Sequence, residues 1–379
     1  MRSSPPLFAS LVLLFAFPHA SSGQQTTRVA GDVVPGAEWQ QVAPESVGYS
    51  SAMLEALRAW VKTQDTTSMM VVVQGRVIFS YGDVTHTSKV ASVRKSILGM
   101  LYGKYVFDNT IDIDKTVKQL GLDDKQPFIP MEENATLVQL LASRSGIYLP
   151  AREHPETLSP WDQGRYMPPR GSAYPGSQFV YNNWDFDAAG TAFEKLTHKG
   201  IYEALQIDLA VPIGMQDYDI GKQRKIPSPD SVHPEYAIYL STRDMARFGL
   251  LMLDFGVWNG KIVVPGDWVR YMTSLQTPFQ DIYPAAMRNA GDPGRWGYGL
   301  LWWVWDAPMF PGYTYIGFMQ GAYSAMGSGG QYITVLPAKD MVVVHQVDID
   351  KDPHAAVSPS SYIGMLSMLA NANCADKCK

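Results

Sequence analysis

Strand-forming sequence lies toward the two ends of this chain, and that placement limits its fold more than any other feature. Near the N-terminus Ser68 to Val73 is β-branched and apolar, Gln74-Gly75-Arg76 turns, and Val77 to Tyr81 returns. Such continuous hydrophobicity predicts a hairpin in a sheet covered on both faces. Near the C-terminus Gln331 to Leu336 reads as a strand, Pro337-Ala338-Lys339-Asp340 as a turn and Met341 to Gln346 as the return, with the apolar, aromatic Leu300 to Trp305 ahead of them. Between Leu101 and about Ala307 the pattern is mostly helical, with candidate helices at Thr136 to Ser143, Trp184 to Leu196, Ile201 to Leu209 and after the cap Ser241-Thr242-Arg243-Asp244. Ser51 to Lys62 and Tyr362 to Ala370 add a helix at each end. The order predicts an α/β (α+β) fold: one antiparallel sheet built from both chain ends, flanked by helices, with a large mostly helical insertion. The α/β part covers about 42–105 and 300–373, the helical part about 106–299, and 374–379 is a tail. A cleft between the two parts is the expected site.

Between the first hairpin and the helical block stands Val90-Ala91-Ser92-Val93-Arg94-Lys95-Ser96-Ile97-Leu98. Val93, Ile97, Met100, Leu101 and Tyr105 follow a helical period and predict one buried stripe. Ser92 opens this helix near the positive end of its macrodipole, and Lys95, three residues on, shares its face. A serine becomes a nucleophile when a base takes its proton, and a partly desolvated amine can do that without a histidine. Taken alone the spacing says little. With 28 serines and 16 lysines chance supplies about one Ser-x-x-Lys, and on this motif alone a helix cap beside a solvated lysine is the better explanation.

Two other stretches carry chemistry. Tyr181-Asn182-Asn183 follows the loop Gly171 to Val180; a tyrosine near a lysine can relay protons, and Asn183 can donate to a substrate carbonyl or to Lys95. Gly327-Ser328-Gly329-Gly330-Gln331 leads into an apolar strand, where glycines admit a substrate close to the backbone and free N–H groups can hold an oxyanion. Taken alone, each is more simply a packed loop or a turn.

Composition narrows the class. Apolar residues make up 46% and charged residues 18%, as in a globular protein, and a net charge of −5 without a basic block gives nucleic-acid binding no support. Arg2, the apolar run Leu7 to Phe17, too short to span a bilayer, and the small residues Ala20-Ser21-Ser22-Gly23 predict a secretory signal peptide over 1–23 and hence a secreted or periplasmic protein, with a short membrane anchor as the alternative. No later window is long and apolar enough to span, and 24–41 reads as a linker. Cys374 and Cys378 can pair and clip the tail, and Asn134-Ala135-Thr136 is a glycosylation acceptor. The Gly-x-Ser-x-Gly elbow, the His-Glu-x-x-His zinc spacing and the Walker loop are absent. His86, His154, His198, His233, His345 and His354 are scattered and read as structural or surface residues. Asp112 and Asp114 alternate with isoleucine, as in a half-exposed extended segment.

The three motifs occur in an order that resembles the penicillin-recognising serine hydrolases, specifically the class C β-lactamase-like group with its esterases and 6-aminohexanoate-dimer hydrolase. Leu140-Leu141-Ala142-Ser143-Arg144-Ser145-Gly146, Pro212-Ile213-Gly214-Met215, Ser241 to Gly249, and Tyr298-Gly299 before Trp302-Trp303 look like the framework of that family, and the resemblance spans about Ala43 to Ala370. It implies that Ser92 is the acyl-forming nucleophile, Lys95 its partner amine, Tyr181 the general base or proton relay and Asn183 the amide that touches substrate. The group Ser328, Gly329, Gly330 and Gln331 would line the substrate, with the backbone N–H of Ser92 and that of Gln331 as the oxyanion hole. The resemblance implies no metal or organic cofactor.

The chain departs from the family at two positions. Ser328 stands where the family has lysine or histidine, so a positive or titratable group near a substrate carboxylate is missing. Ser143 stands where relatives often have histidine, at a framework position. The first departure favours a neutral ester or amide over a penicillin or muropeptide, and the Trp and Tyr residues between Trp296 and Tyr323 suit an apolar-walled pocket. The expectation is an exported serine hydrolase that cleaves a small-molecule ester or amide through an acyl-enzyme on Ser92. The alternatives are a catalytically inactive binding or scaffold protein of the same fold, and a β-lactamase or D-alanyl-D-alanine carboxypeptidase. Oligomeric state is not legible.

Overall fold

A computed structural model describes residues 33–152, 167–283, 295–306 and 317–374. The segment read as a signal peptide lies outside the described residues, as does 24–32 of the expected linker. The first half of the chain forms helix α1 (Ser51–Val61), strands β1 (Ser68–Val73), β2 (Arg76–Gly82) and β3 (Thr87–Lys89), and helices α2 (Val93–Phe107), α3 (Leu137–Leu141), α4 (Asn183–Thr197) and α5 (Ile201–Ala204). Strands β4 (Arg224–Ile226), β5 (Glu235–Ala237) and β6 (Tyr239–Ser241) follow, then helix α6 (Thr242–Leu253), the ribbon β7 (Val257–Trp258) and β8 (Lys261–Ile262), and helix α7 (Gly266–Met272). The last part holds β9 (Trp296–Tyr298), β10 (Trp303–Trp305), β11 (Tyr323–Gly327), β12 (Gln331–Leu336), β13 (Met341–Gln346) and helix α8 (Pro359–Ala372). No helix among the described residues is long and apolar enough to cross a membrane.

The two hairpins meet as their hydrophobicity requires. One seven-stranded sheet runs β2-β1-β13-β12-β11-β10-β9, and its seam pairs β1 with β13 antiparallel, Ser68 opposite Gln346 through Val73 opposite Met341. All six residues of β1, of β12 and of β13 are buried, because both faces are covered. Side chains alternate between two cores: Met70, Val72, Val342 and Val344 join the α2 and α6 side, while Met69, Val71, Val343 and Leu336 join the α1 and α8 side. Helix α6 lies close on the central strands because Gly249 presents no side chain; a Cβ there would sit 2.3 Å from a Val342 methyl.

The structure differs from the sequence reading in several places. Helix α2 is buried almost all round rather than along one stripe, since it is sandwiched between the sheet and the helical block. Its Ile97, Leu98, Met100 and Leu101 each contribute roughly 1.5–3 kcal/mol of burial before entropy is counted. The expected helix Ile201 to Leu209 keeps α-geometry only to Ala204 and widens into a π turn over Leu205–Ala210. The span assigned to the helical part also carries the ribbons β4–β5 and β7–β8 and strand β6, which pairs with β3 of the α/β part, and β9 is an edge strand of the main sheet. Residues 33–41 of the expected linker are docked: Val33 N–H donates to the Gln74 carbonyl (3.1 Å), and Arg247, buried in α6, donates to the Gly36 carbonyl (2.6 Å).

Candidate active site

Helix α2 begins at the turn Val90-Ala91-Ser92, with Ser92 at the N-cap position. The Ser92 hydroxyl does not cap the helix; it accepts a hydrogen bond from Lys95 Nζ (2.9 Å). Lys95 Nζ also donates to Tyr181 Oη (2.8 Å) and to Asn183 Oδ1 (2.8 Å). Lys95 is 1% exposed, and its three partners Ser92, Tyr181 and Asn183 are half-buried. Its Nζ also rests 4.3 Å from the Tyr181 ring centre and 4.4 Å from that of Phe186, where cation–π attraction would offset part of the lost hydration of a protonated amine. One nitrogen is thus within a single bond of a hydroxyl, a phenol and an amide.

Tyr181 is delivered by a loop that other residues fix. Ser143 Oγ donates to the Val180 carbonyl (2.7 Å) and accepts from Asn182 N–H (3.2 Å), so one hydroxyl grips the backbone on both sides of Tyr181. Asn182 caps α4 by accepting from Trp184 N–H, and its amide donates to the Ile147 carbonyl (2.7 Å). The Tyr181 ring is stacked on Trp303 of β10 (centroids 5.6 Å apart, planes 24°) and meets Tyr298 of β9 edge-on (6.2 Å). Beside Asn182, burial raises the Asp185 carboxyl well above its ordinary range, with Ser145 hydrogen bonds opposing.

A second layer of charge backs the first turn of α2. Arg94 Nη2 donates to Asp187 Oδ1 (2.8 Å), and the guanidinium lies 4.3 Å over the Tyr236 ring. Burial works against the guanidinium charge, but Asp187, Tyr236 and Glu235 outweigh it and hold Arg94 protonated. Burial raises the Asp187 carboxyl, and the Arg94 charge pulls it back.

The Beta-lactamase family model matches residues 57–358, about four fifths of the chain, and every residue just described falls inside that span. The chain belongs to the Beta-lactamase family. A protein of Bacillus anthracis named as a 6-aminohexanoate-dimer hydrolase shares the fold at a TM-score of 0.62 and 21% identity, covering 88% of this chain and 87% of that one. A penicillin-binding protein homolog from Caulobacter crescentus aligns at 0.56 and 14% identity (86% and 98% covered), and EstCE1, a hydrolase with promiscuous acyltransferase activity, at 0.58 and 13% (84% and 98%). A curated relative, an uncharacterized protein of Alkalihalophilus pseudofirmus, is 28% identical over 107 residues, 28% of this chain and 29% of that relative's length. As a member of the Beta-lactamase family the protein is a hydrolase of the serine β-lactamase fold.

The expected site residues divide into two groups. Ser92, Lys95, Tyr181 and Asn183 are brought together by the three bonds of Lys95. The glycine-rich group is placed differently. Ser328, Gly329 and Gly330 form the turn between β11 and β12, and Gln331 pairs with Gly327. Gly329 and Gly330 contact the 347–357 segment, where Gly329 O accepts from Val357 N–H (3.1 Å) and Gln331 Nε2 donates to the Val347 carbonyl (2.7 Å). The residue of that stretch set against the Ser92 turn is Gly327: a Cβ there would lie 2.6 Å from the Val90 carbonyl and 3.0 Å from Ser92 N. Sequence reasoning quoted Gly327 without assigning it a role, and its place just before a three-residue turn was the available signal. Asn182 and Trp303 were quoted without a role in holding Tyr181, because the Ser143–Asn182 bond and the stack on Trp303 show only once the loop is folded.

Proposed function

We propose that the protein is an exported serine hydrolase that cleaves a neutral ester or amide through an acyl-enzyme on Ser92. The observation that carries this reading is the position of Lys95 Nζ, in hydrogen-bond reach of both the Ser92 hydroxyl and Tyr181. When Ser92 Oγ attacks a substrate carbonyl carbon, its proton has an acceptor one bond away in the Lys95–Tyr181 pair. The oxygen of the tetrahedral intermediate needs N–H donors; Ser92 N–H, which takes no backbone acceptor in the first turn of α2 among the described residues, is one such group. Collapse breaks the bond to the leaving alcohol or amine, which takes up the proton, and water then attacks the acyl-enzyme and releases the acid. Asn183 has its Oδ1 committed to Lys95, which leaves Nδ2 as the donor toward substrate. The aromatic wall of Trp303, Tyr298 and Tyr181 supports a neutral, apolar acyl group over a carboxylate-bearing one.

Export rests on the leader-like sequence 1–23 and is read from the mass of the mature protein recovered outside the cytoplasm. The activity is tested with a fluorophosphonate probe and a chromogenic short-chain ester. Wild type should be labelled once per chain and turn the ester over, and Ser92→Ala should do neither. Equal turnover by both proteins sinks the proposal, and nitrocefin hydrolysis at rates matching the ester would make the protein a β-lactamase instead.

A further inference from the structure

The turn that presents Ser92 is strained. Ala91 has φ 45°, in the left-handed region that a residue with a Cβ avoids, so its surroundings must hold it there. They do so from both sides. Upstream, Val90 N–H donates to the Ile238 carbonyl (3.0 Å), and Lys89 Nζ lies 3.3 Å from Glu235. Downstream, Arg94 bonds Asp187 at 2.8 Å and lies 3.9 Å from the same Glu235.

The downstream grip is also in register with the reactive amine. Arg94 and Lys95 are consecutive on α2, while Asn183 and Asp187 are one turn apart on α4 and share a face. Lys95 bonds Asn183 and Arg94 bonds Asp187, each at 2.8 Å, so the two helix starts are riveted at two points. Arg94 and Asp187 are 3% and 1% exposed. A buried ion pair is weak as a source of stability, because an apolar pair of similar volume often serves as well. What it supplies here is direction and a fixed length.

Resting on the reading of Ser92 and Lys95 given above, we propose that Asp187 is a positioning residue that acts through Arg94. It fixes the strained turn that carries Ser92 and the register of Lys95 on Asn183.

The test compares Asp187→Asn with the apolar double variant Arg94→Met/Asp187→Leu, using wild type and Ser92→Ala as references. Each variant is read for fluorophosphonate labelling rate, kcat and KM on a chromogenic ester, and the pH profile of kcat/KM, on folded protein isolated by size exclusion. Asp187→Asn should lose about 100-fold in labelling rate and kcat with KM little changed, the pattern of a misplaced reacting group. Its acid limb should move to lower pH, because the protonated amine has lost a nearby anion's support. The double variant removes the charges without leaving Arg94 unpaired, and should fold yet stay at least about tenfold slow. Wild-type kcat and pH profile in a folded double variant overturn the proposal, as does failure of both variants to fold, which would make the pair a folding element only. Absence of labelling in wild type itself is the different result that removes the acyl-enzyme reading and this inference with it.

Discussion

At the scale of single residues the site depends on atoms too close to allow alternatives. Lys95 Nζ bonds Ser92 on its own helix and Tyr181 and Asn183 more than 80 positions on, so one nitrogen sets the spacing of all three partners. Gly327 is the clearest case of an absent side chain with a function. Gly327→Ala would drive a methyl to 2.6 Å from the Val90 carbonyl, and backbone rather than a flexible side chain must give way. Relief by moving β11 away from Ser92 would cost roughly 1–3 kcal/mol of stability. We expect labelling of Ser92 to slow about tenfold or more, read as probe labelling against time, with KM for a small ester altered less than kcat. Labelling at the wild-type rate would show that the β11 approach does not set the geometry at Ser92.

At the scale of elements the Tyr181 loop shows how a framework change becomes legible. The sequence reading marked Ser143 only as a framework position and gave it no role at the site. Folded, its hydroxyl bonds Val180 and Asn182 and so brackets Tyr181 between α3 and α4. Ser143→Ala leaves a buried carbonyl and a buried N–H without that partner, at a cost of about 1–2 kcal/mol. A fall of that size in urea unfolding free energy, with kcat reduced and KM nearly kept, is the expected result. Unchanged kcat would mean that Trp303 and Tyr298 hold the ring without help from the loop. The hairpins β1–β2 and β12–β13 were readable because continuous hydrophobicity and turn residues are local signals. Strand β11 was not, since Tyr323-Ser324-Ala325-Met326-Gly327 has no β-branched run and owes its conformation to pairing with β12. Ser92, Lys95, Tyr181 and Asn183 could be named from motif order, whereas Arg94–Asp187 and Ser143–Asn182 are tertiary contacts with no local pattern.

At the scale of the whole molecule the sheet does more than join the chain ends, because buried polar groups tie its central strands to the loops and turns around them. His345 in β13 shows this. Its Nδ1 donates to the Gly330 carbonyl (2.6 Å) in the glycine-rich turn, so its Nε2 accepts from Thr66 Oγ1 (2.8 Å), and the neutral ring is satisfied on both nitrogens. Burial lowers its pKa from 6.5 to about 4, the Gly330 bond opposing. Between those values the unfolded chain binds a proton that the folded protein refuses, so stability rises with pH. On acidification through this window the protein should lose about 1.4 kcal/mol per pH unit from this ring, on the order of 3 kcal/mol in all. Asp185, whose carboxyl burial raises, works with the opposite sign, since its protonated form is favoured by folding. The two are separated by difference. Urea unfolding of wild type and of His345→Asn at a series of pH values should give curves that converge as pH falls from 6.5 toward 4, with wild type the steeper. Parallel curves across that range would mean that His345 takes up its proton in the folded protein as readily as in the unfolded chain, and that the link from β13 to the glycine-rich turn survives a charged ring.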